Sequence, residues 1–508
     1  MSSMNWSQHL HQLRQKREQA RAVASDQVQR AAARGRMTCR ERIQCLLDLG
    51  SFIETGALAG SVLDEVAVPA DGLVCGMGSI DGRPVFVAAD DGFYFSGARG
   101  LSAERKLSRL RRRAVADGFP FIWLQEGSGA RIQEQMGARF AGAFAEPFLE
   151  QVQLMSGRIP TVAALLGNCF GQPAFIAALA DFVVMTPTAL AGVSGPPVIS
   201  AATGEEVDAE ELGGWEVHAR VTGLVDHVAS GEMAALAAIR RYLSYFPSNS
   251  GQCALRIEHA EAGGEQSELA ALVPADLKVA YDMREVLRVM TDHGSVFECK
   301  PLFGGAVITA WARIGGHAVG LIASQPRHEG GALDPAAADK IADFIELADA
   351  FRMPLVFLQD VPGFLVGKRM EHQGQVARAT RVLQVLARST TLKLTVILRK
   401  AYGLAYMVMC GAPMHPRSIV AWPTASISQM GPGPGVNVIY HRELAAATDR
   451  QAKRAELEDA FEQLIDPYIA ARQALIDDII DPAETRGHLI AQLALAHEGR
   501  VVQGRKDS

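Results

Sequence analysis

Short apolar runs alternate with longer amphipathic stretches through most of this chain, and glycine turns separate them. Residues 119–124 form a nearly continuous apolar run, followed by the Gly127-Ser128-Gly129 loop and a helix predicted from about Ala130. Val85-Phe86-Val87-Ala88-Ala89 predicts a strand, and Leu101–Asp117 a helix whose Arg105, Lys106, Arg109 and Arg111 to Arg113 give it a basic face. Strand, glycine turn and helix in repeated order is the pattern of buried parallel strands in an α/β protein. Residues 1–50 read as helix up to the Gly50 stop signal, and helical composition returns from Tyr440 to about residue 497. Between them, residues 246–276 are polar and turn-rich, as in Pro247-Ser248-Asn249-Ser250-Gly251, and predict a linker.

The pattern occurs twice. Pro120-Phe121-Ile122-Trp123-Leu124-Gln125-Glu126 recurs as Pro354-Leu355-Val356-Phe357-Leu358-Gln359-Asp360, 234 residues later, and Thr161-Val162 as Thr395-Val396 at that separation. Phe170-Gly171 recurs as Tyr402-Gly403 at 232, and Pro187-Thr188-Ala189 as Pro423-Thr424-Ala425 at 236. An ordered series with small length changes marks a duplicated domain. The segments expected are 1–50, 51–245, 246–276 as the linker and 277–508.

A chain of 508 residues exceeds what one core supports, which agrees with two large domains. With 48% hydrophobic and 21% charged residues it is an ordinary globular sequence, and a net charge of −6 argues against nucleic acid as the main partner. No apolar run approaches the roughly 20 residues of a membrane helix. The seven cysteines form no CxxC pair, so a reducing cytoplasm and neither zinc ribbon nor disulfide framework are expected. Trp6 to Arg36 is arginine-rich and acid-poor, read as a surface helix, with a mitochondrial transit segment as the other reading.

Each copy carries a glycine turn after a strand. Residues 161–166 feed a turn at 167–172, and residues 395–398 feed one at 399–405. Backbone N–H groups at such a turn donate to an oxygen that gains negative charge, or the glycines serve only tight strand–helix packing. Two equivalent turns favour a reaction with two carbonyl-like centres. Gly363 to Lys368 has the wrong spacing for a phosphate loop, and His218 and His227 read as structural histidines.

Several motifs then carry a resemblance. Leu124-Gln125-Glu126-Gly127-Ser128-Gly129-Ala130-Arg131-Ile132-Gln133-Glu134, Ala201-Ala202-Thr203-Gly204-Glu205-Glu206 with Glu211-Leu212-Gly213-Gly214, Asp360-Val361-Pro362-Gly363-Phe364 and Arg399-Lys400-Ala401-Tyr402-Gly403 occur in order. The chain resembles, from about Arg40 to residue 490, the carboxyltransferase (beta) subunits of biotin-dependent acyl-CoA carboxylases of the propionyl-CoA and methylcrotonyl-CoA type. The resemblance implies two tandem crotonase-like α/β spiral domains, the first on the acyl-CoA side and the second on the biotin side. Each site would form between halves of different subunits in a homo-oligomer, a hexamer. It implies carboxyl transfer from carboxybiotin to the α or vinylogous γ carbon of an acyl-CoA, with the cofactor supplying the base and the protein two backbone oxyanion holes.

Carried over by position, the first hole is at Gly171 and Gln172 and the second within Gly403, Leu404 and Ala405. Gly129, Ala130, Arg131, Phe170 and Met407 fall on the acyl-CoA side, and Phe364, Ala401 and Tyr402 on the biotin side; no metal is implied. Arg131 either meets CoA phosphates or a partner subunit, or pairs with Glu134; the basic helix face either meets those phosphates or is solvated. Gln172 and Leu404 stand where the family usually has a second glycine, and Pro173 removes a third donor. Met407 replaces the propionyl-type aspartate and points to an acyl group larger than acetyl. No lysine sits between methionines and no ATP motif is evident, so biotin and its carboxylation come from a partner alpha subunit with biotin carboxylase and carrier functions. The rival readings are a biotin-dependent decarboxylase of malonyl-type CoA thioesters and a non-catalytic structural paralogue.

Overall fold

The computed structural model describes residues 5–504 apart from 22–24, 34, 63–67, 139–144 and 259–260. The chain divides into two units, Met1–Gln252 and Cys253–Ser508. Each is built on an eight-stranded mixed sheet, and the two sheets have the same connectivity.

In the first unit β1 (Ile53–Glu54) and β2 (Leu73–Ile80) pair antiparallel, as do β2 and β3 (Arg83–Asp90). The turn between β2 and β3 is Asp81-Gly82, with φ of 50° and 76°. Two successive positive φ values match the right-handed twist of a hairpin, which is why Asp-Gly sits there. From β3 onward pairing is parallel: β4 (Phe121–Gly127), β5 (Thr161–Phe170), β6 (Phe182–Met185) and, against the end of β5, β7 (Leu190–Gly192), with β8 (His227–Val228) beyond β6. The crossover helix Leu101–Asp117 lays Leu107, Leu110 and Ala114 on Phe86, Phe121 and Trp123. It ends at Gly118, left-handed at φ 71°, whose N–H caps the last turn.

The second unit repeats this with β9 (Phe297–Cys299), β10 (Val307–Ile314), β11 (His317–Ser324), β12 (Leu355–Val361), β13 (Lys393–Tyr402), β14 (Ser418–Ala421), β15 (Ser426–Ser428) and β16 (Asp478–Ile479). Its first hairpin turns on Gly315-Gly316, at φ 58° and 80°. The crossover helix Pro335–Ala350 starts with proline behind Asp334, whose side chain accepts from the Ala337 N–H. Even the irregularity is copied: the β4–β5 register shifts between Gln125 and Gly127, and the β12–β13 register between Gln359 and Val361.

Four expectations need correction. Phe121 pairs with Thr161 and Leu355 with Lys393, so β13 follows β5 at a spacing of 232 throughout, and the Thr161–Thr395 match at 234 is two residues out of register. No helix starts at Ala130, which makes a parallel bridge with Arg99 before a short 3-10 turn, Ile132–Glu134. The strands run past the glycine turns assigned to 167 and 399, ending at Phe170 and Tyr402. Within the polar stretch 246–276, Leu269 and Val273 belong to the second unit's core with Met283 and Val286.

Candidate functional site

The first candidate hole lies where β4 and β5 end. Gly171 takes φ 72° and ψ −129°, which costs an L side chain dearly, and this reverses the chain into the helix Gln172–Ala178. The Gly171 N–H is already used: it donates to the Gly192 carbonyl at 2.9 Å, extending the β5–β7 ladder. The Gln172 N–H, at the first helical position, has no partner among the described residues, and Pro173 has none to give. The donor assigned to Gly171 therefore has to come from elsewhere.

The loop after β4 offers a candidate. Arg99 N–H donates to Gly129 O and Arg131 N–H to Arg99 O, both at 2.9 Å. In a parallel bridge of that register, Ala130 turns its own N–H away from Arg99, and that N–H has no partner among the described residues. The loop adjoins the helix start: a Cβ on Gly129 would lie 3.4 Å from the Phe170 oxygen and 4.0 Å from the Gln172 nitrogen. Two unpaired amides, of Ala130 and Gln172, thus stand on neighbouring walls.

The second unit reproduces the arrangement. Leu333 N–H donates to Gly363 O at 3.0 Å and Leu365 N–H to Leu333 O at 2.9 Å, so Gly363 and Phe364 occupy the places of Gly129 and Ala130. Gly403, at φ 60°, opens the helix Gly403–Val408, and the N–H groups of Leu404 and Ala405 have no partner among the described residues. Leu404 is 61% exposed, and Met407 is half-buried one turn further on.

Near both candidate holes lies an acid towards the end of the fourth strand of its unit, neutralised differently in each copy. In the first unit Arg36 and Arg42 reach Glu126 at 2.5 and 2.7 Å from the N-terminal segment. Arg42 also holds Glu232 at 2.7 Å. Arg36 passes through space that only glycine leaves, since a Cβ on Gly167 would meet its Nη2 at 2.5 Å. In the second unit the residue at that strand position is Arg399, which bonds Asp360 at 3.0 Å with neither side chain exposed. Burial pushes the Arg42 guanidinium down, but its bonds to Glu232 and Glu126 outweigh that and hold it above its usual range. Burial raises the Tyr402 phenol and lowers the Lys400 ammonium, Asp360 opposing the latter.

Arg131 is 1% exposed; its Nη1 lies 2.7 Å from Asp71 and 2.6 Å from Glu134, and the ion-pair reading holds. Phe170 packs against Gly192 and Gly195, and Tyr402 against Gly431 while bonding Ser426 at 2.8 Å, so both rings support the turns from behind. Ala401 is fully buried with Ile397 and Ile419 and has no surface to offer a ligand within this chain. On the basic helix, Arg111 and Arg112 hold Glu150 at 2.8 and 2.7 Å and Lys106 is buried against the carbonyls of Ala70 and Leu73. Arg105 and Arg109 are exposed. Among the described residues no group of His, Cys, Asp or Glu is arranged to hold a metal, and no helix is long and apolar enough to cross a membrane. The equivalence of the two loops was readable in the sequence, because Gly129-Ala130 and Gly363-Phe364 are 234 apart.

Known proteins resemble this chain across nearly its whole length. The propionyl-CoA carboxylase carboxyltransferase subunit of Haloferax mediterranei is 38% identical over 512 residues, covering 99% of both chains. The methylmalonyl-CoA carboxyltransferase 12S subunit of Propionibacterium freudenreichii subsp. shermanii is 37% identical over 495 residues, 96% of this chain and 94% of that one. The crystal structure of transcarboxylase 12S, described as a hexamer with methylmalonyl-coenzyme A and methylmalonic acid bound, superposes with a TM-score of 0.92 at 36% identity, covering 98% of this chain and 96% of that one. The two duplicated halves are accordingly the crotonase-like α/β units expected from the motifs. Residues 30–507 match the carboxyl transferase domain model, and the chain belongs to the carboxyl transferase family.

Proposed function

We propose that this chain is the carboxyltransferase subunit of a biotin-dependent acyl-CoA carboxylase, working in the cytoplasm as a homo-oligomer with a separate biotin-carrying chain. The observation that carries the reading is the duplicated pair of amides without a partner among the described residues, Ala130 with Gln172 and Phe364 with Leu404. Chemistry with one developing oxyanion needs one such pair; transfer between two carbonyl-type groups needs two.

The Ala130 and Gln172 N–H groups bind the thioester oxygen of an acyl-CoA. As the α-carbon loses its proton, that oxygen gains charge and the two bonds strengthen, a differential worth about 10²–10³ in rate for each donor. The Phe364 and Leu404 amides, both neutral donors on an accessible rim, fit the carbonyl oxygen of a ureido ring. Biotin, when bound there, supplies the carboxyl group and the basic nitrogen. Gly171 and Gly403 fix the turn geometry, while Phe170 and Tyr402 hold it from below. By resemblance Met407 falls on the acyl side, where an apolar residue in place of an aspartate favours an acyl group larger than acetyl.

The test is ATP-dependent ¹⁴CO₂ fixation by the complex with a biotin carboxylase and carrier subunit, across acetyl-, propionyl-, butyryl-, methylcrotonyl-, geranyl- and long-chain CoA. Fixation on a substrate larger than acetyl-CoA supports the reading. Release of CO₂ without linked fixation favours decarboxylation, and no exchange on any thioester favours a structural paralogue.

A further inference from the structure

We propose that Gln172 is a positioning residue whose side chain sets the spacing between the two walls of the first hole. The inference rests on the reading of Ala130 and Gln172 as the donors to the thioester oxygen.

Gln172 replaces the glycine usual at this place, yet its side chain folds inward and is only 5% exposed. Its Nε2 donates to Glu104 Oε1 at 3.1 Å, from the first turn of the helix Leu101–Asp117. The same Glu104 oxygen lies 3.8 Å from Arg99 Nη1. Arg99 is fixed by two bonds to Asp90, at 2.8 and 3.0 Å, and its main chain is the strand that holds Gly129 and Arg131. A continuous polar chain therefore runs from one hole wall, through Gln172, Glu104 and Arg99, to the loop that presents the Ala130 amide.

This chain is not explained by stability. Gln172 Oε1, Glu104 Oε2 and Arg99 Nη1 are buried without a hydrogen-bond partner among the described residues, an arrangement that an apolar trio would avoid. The second unit shows that apolar trio. The residues at the places of Arg99, Glu104 and Gln172 are Leu333, Ala338 and Leu404, and Leu404 points outward with no tether. All three polar partners are present in the half that binds the thioester and all three are replaced in the other, so the tether belongs to the first hole and not to the shared fold.

A tether that fixes the separation of two donors acts on the enolate more than on the bound thioester, because the bonds tighten only as charge develops. Its loss therefore lowers kcat with little change in KM. The experiment uses the full-length chain, following carboxyl transfer from methylmalonyl-CoA to free biotin, with thermal melting alongside. Gln172→Leu is expected to lower kcat about tenfold or more while KM stays within about twofold. Gln172→Glu, which sets two carboxylates together, is expected to fall further, and the swap Gln172→Glu with Glu104→Gln to recover most of the loss. Unchanged kcat in Gln172→Leu would overturn the proposal. So would a loss of activity that tracks a drop in melting temperature with no recovery in the swap. If the unaltered chain transfers no carboxyl group, the reading of the first hole fails too, and the two failures are separable.

Discussion

Arg399 anchors the strand end beside the second candidate hole, and removing it is the sharpest test of how that turn is held. Its Nε bonds Asp360 at 3.0 Å; Nη1 donates to the carbonyls of Pro274, Asp276 and Val279 at 2.8, 3.0 and 3.0 Å, and Nη2 to Leu277 at 3.3 Å. It also lies 5.1 Å over the Tyr281 ring. Arg399→Met leaves one buried carboxylate without its main counter-charge and four carbonyls without a donor. Breaking a buried pair from one side costs about 3–5 kcal/mol, and each orphaned group adds about 1–3 kcal/mol unless water reaches it. Lys400 still stands 3.6 Å from Asp360 and its N–H donates at 3.2 Å, so part of the charge stays compensated and about 4 kcal/mol is a reasonable total. The control is Arg381→Ala, which loses exposed bridges to Asp343 and Glu346 at 2.8 and 2.7 Å and is expected to cost at most about 1 kcal/mol. Urea melts of the full chain give the difference, and hydrogen exchange locates it: residues 274–281 should lose protection in Arg399→Met. A double variant with Asp360→Asn should cost less than the sum of the singles. If Arg399→Met melts with Arg381→Ala and residues 274–281 stay protected, the anchoring argument is wrong.

Two further outcomes follow from the first unit. Burial pushes the Asp181 carboxyl up to about 6, against its bonds to Thr161, so the folded state takes up a proton that the unfolded state, near 3.8, does not. Stability of the normal chain should therefore rise relative to Asp181→Asn as pH falls from about 6 towards 4, measured by paired urea melts; a normal chain that loses stability relative to Asp181→Asn over that range refutes the sign. Gly97→Ala should impair both stability and carboxyl transfer, because φ is +72° and the new Cβ would lie 1.9 Å from the Glu126 carbonyl beneath the loop of Ala130, whereas Gly137→Ala, at φ +66° in open space, should lose only about 1 kcal/mol.

Much of this was legible in the sequence because duplication let each half read the other. The β4 and β12 segments match residue for residue at 234, and Gly97 with Gly331, both at positive φ against the carbonyls of Glu126 and Asp360, keep that spacing. Lys106 and Lys340 do too, each buried and donating to carbonyls at the start of the preceding hairpin. The Thr161–Thr395 match misled because a two-residue slip keeps every side chain on its face, so an alternating pattern cannot detect it. Composition does not reveal that a neighbouring strand, at Gly192, claims the Gly171 N–H. The exchange of Arg36 and Gly167 for Arg399 was hidden for another reason. The two solutions put the arginine 131 residues away from the glycine in one half and at the equivalent strand position in the other, and only the fold aligns them.

The most direct measurement is a crystal structure of the full chain with an acyl-CoA bound. The thioester oxygen is expected within about 3.1 Å of both the Ala130 and Gln172 nitrogens. A thioester seated beyond hydrogen-bond reach of both amides would contradict the account at its root.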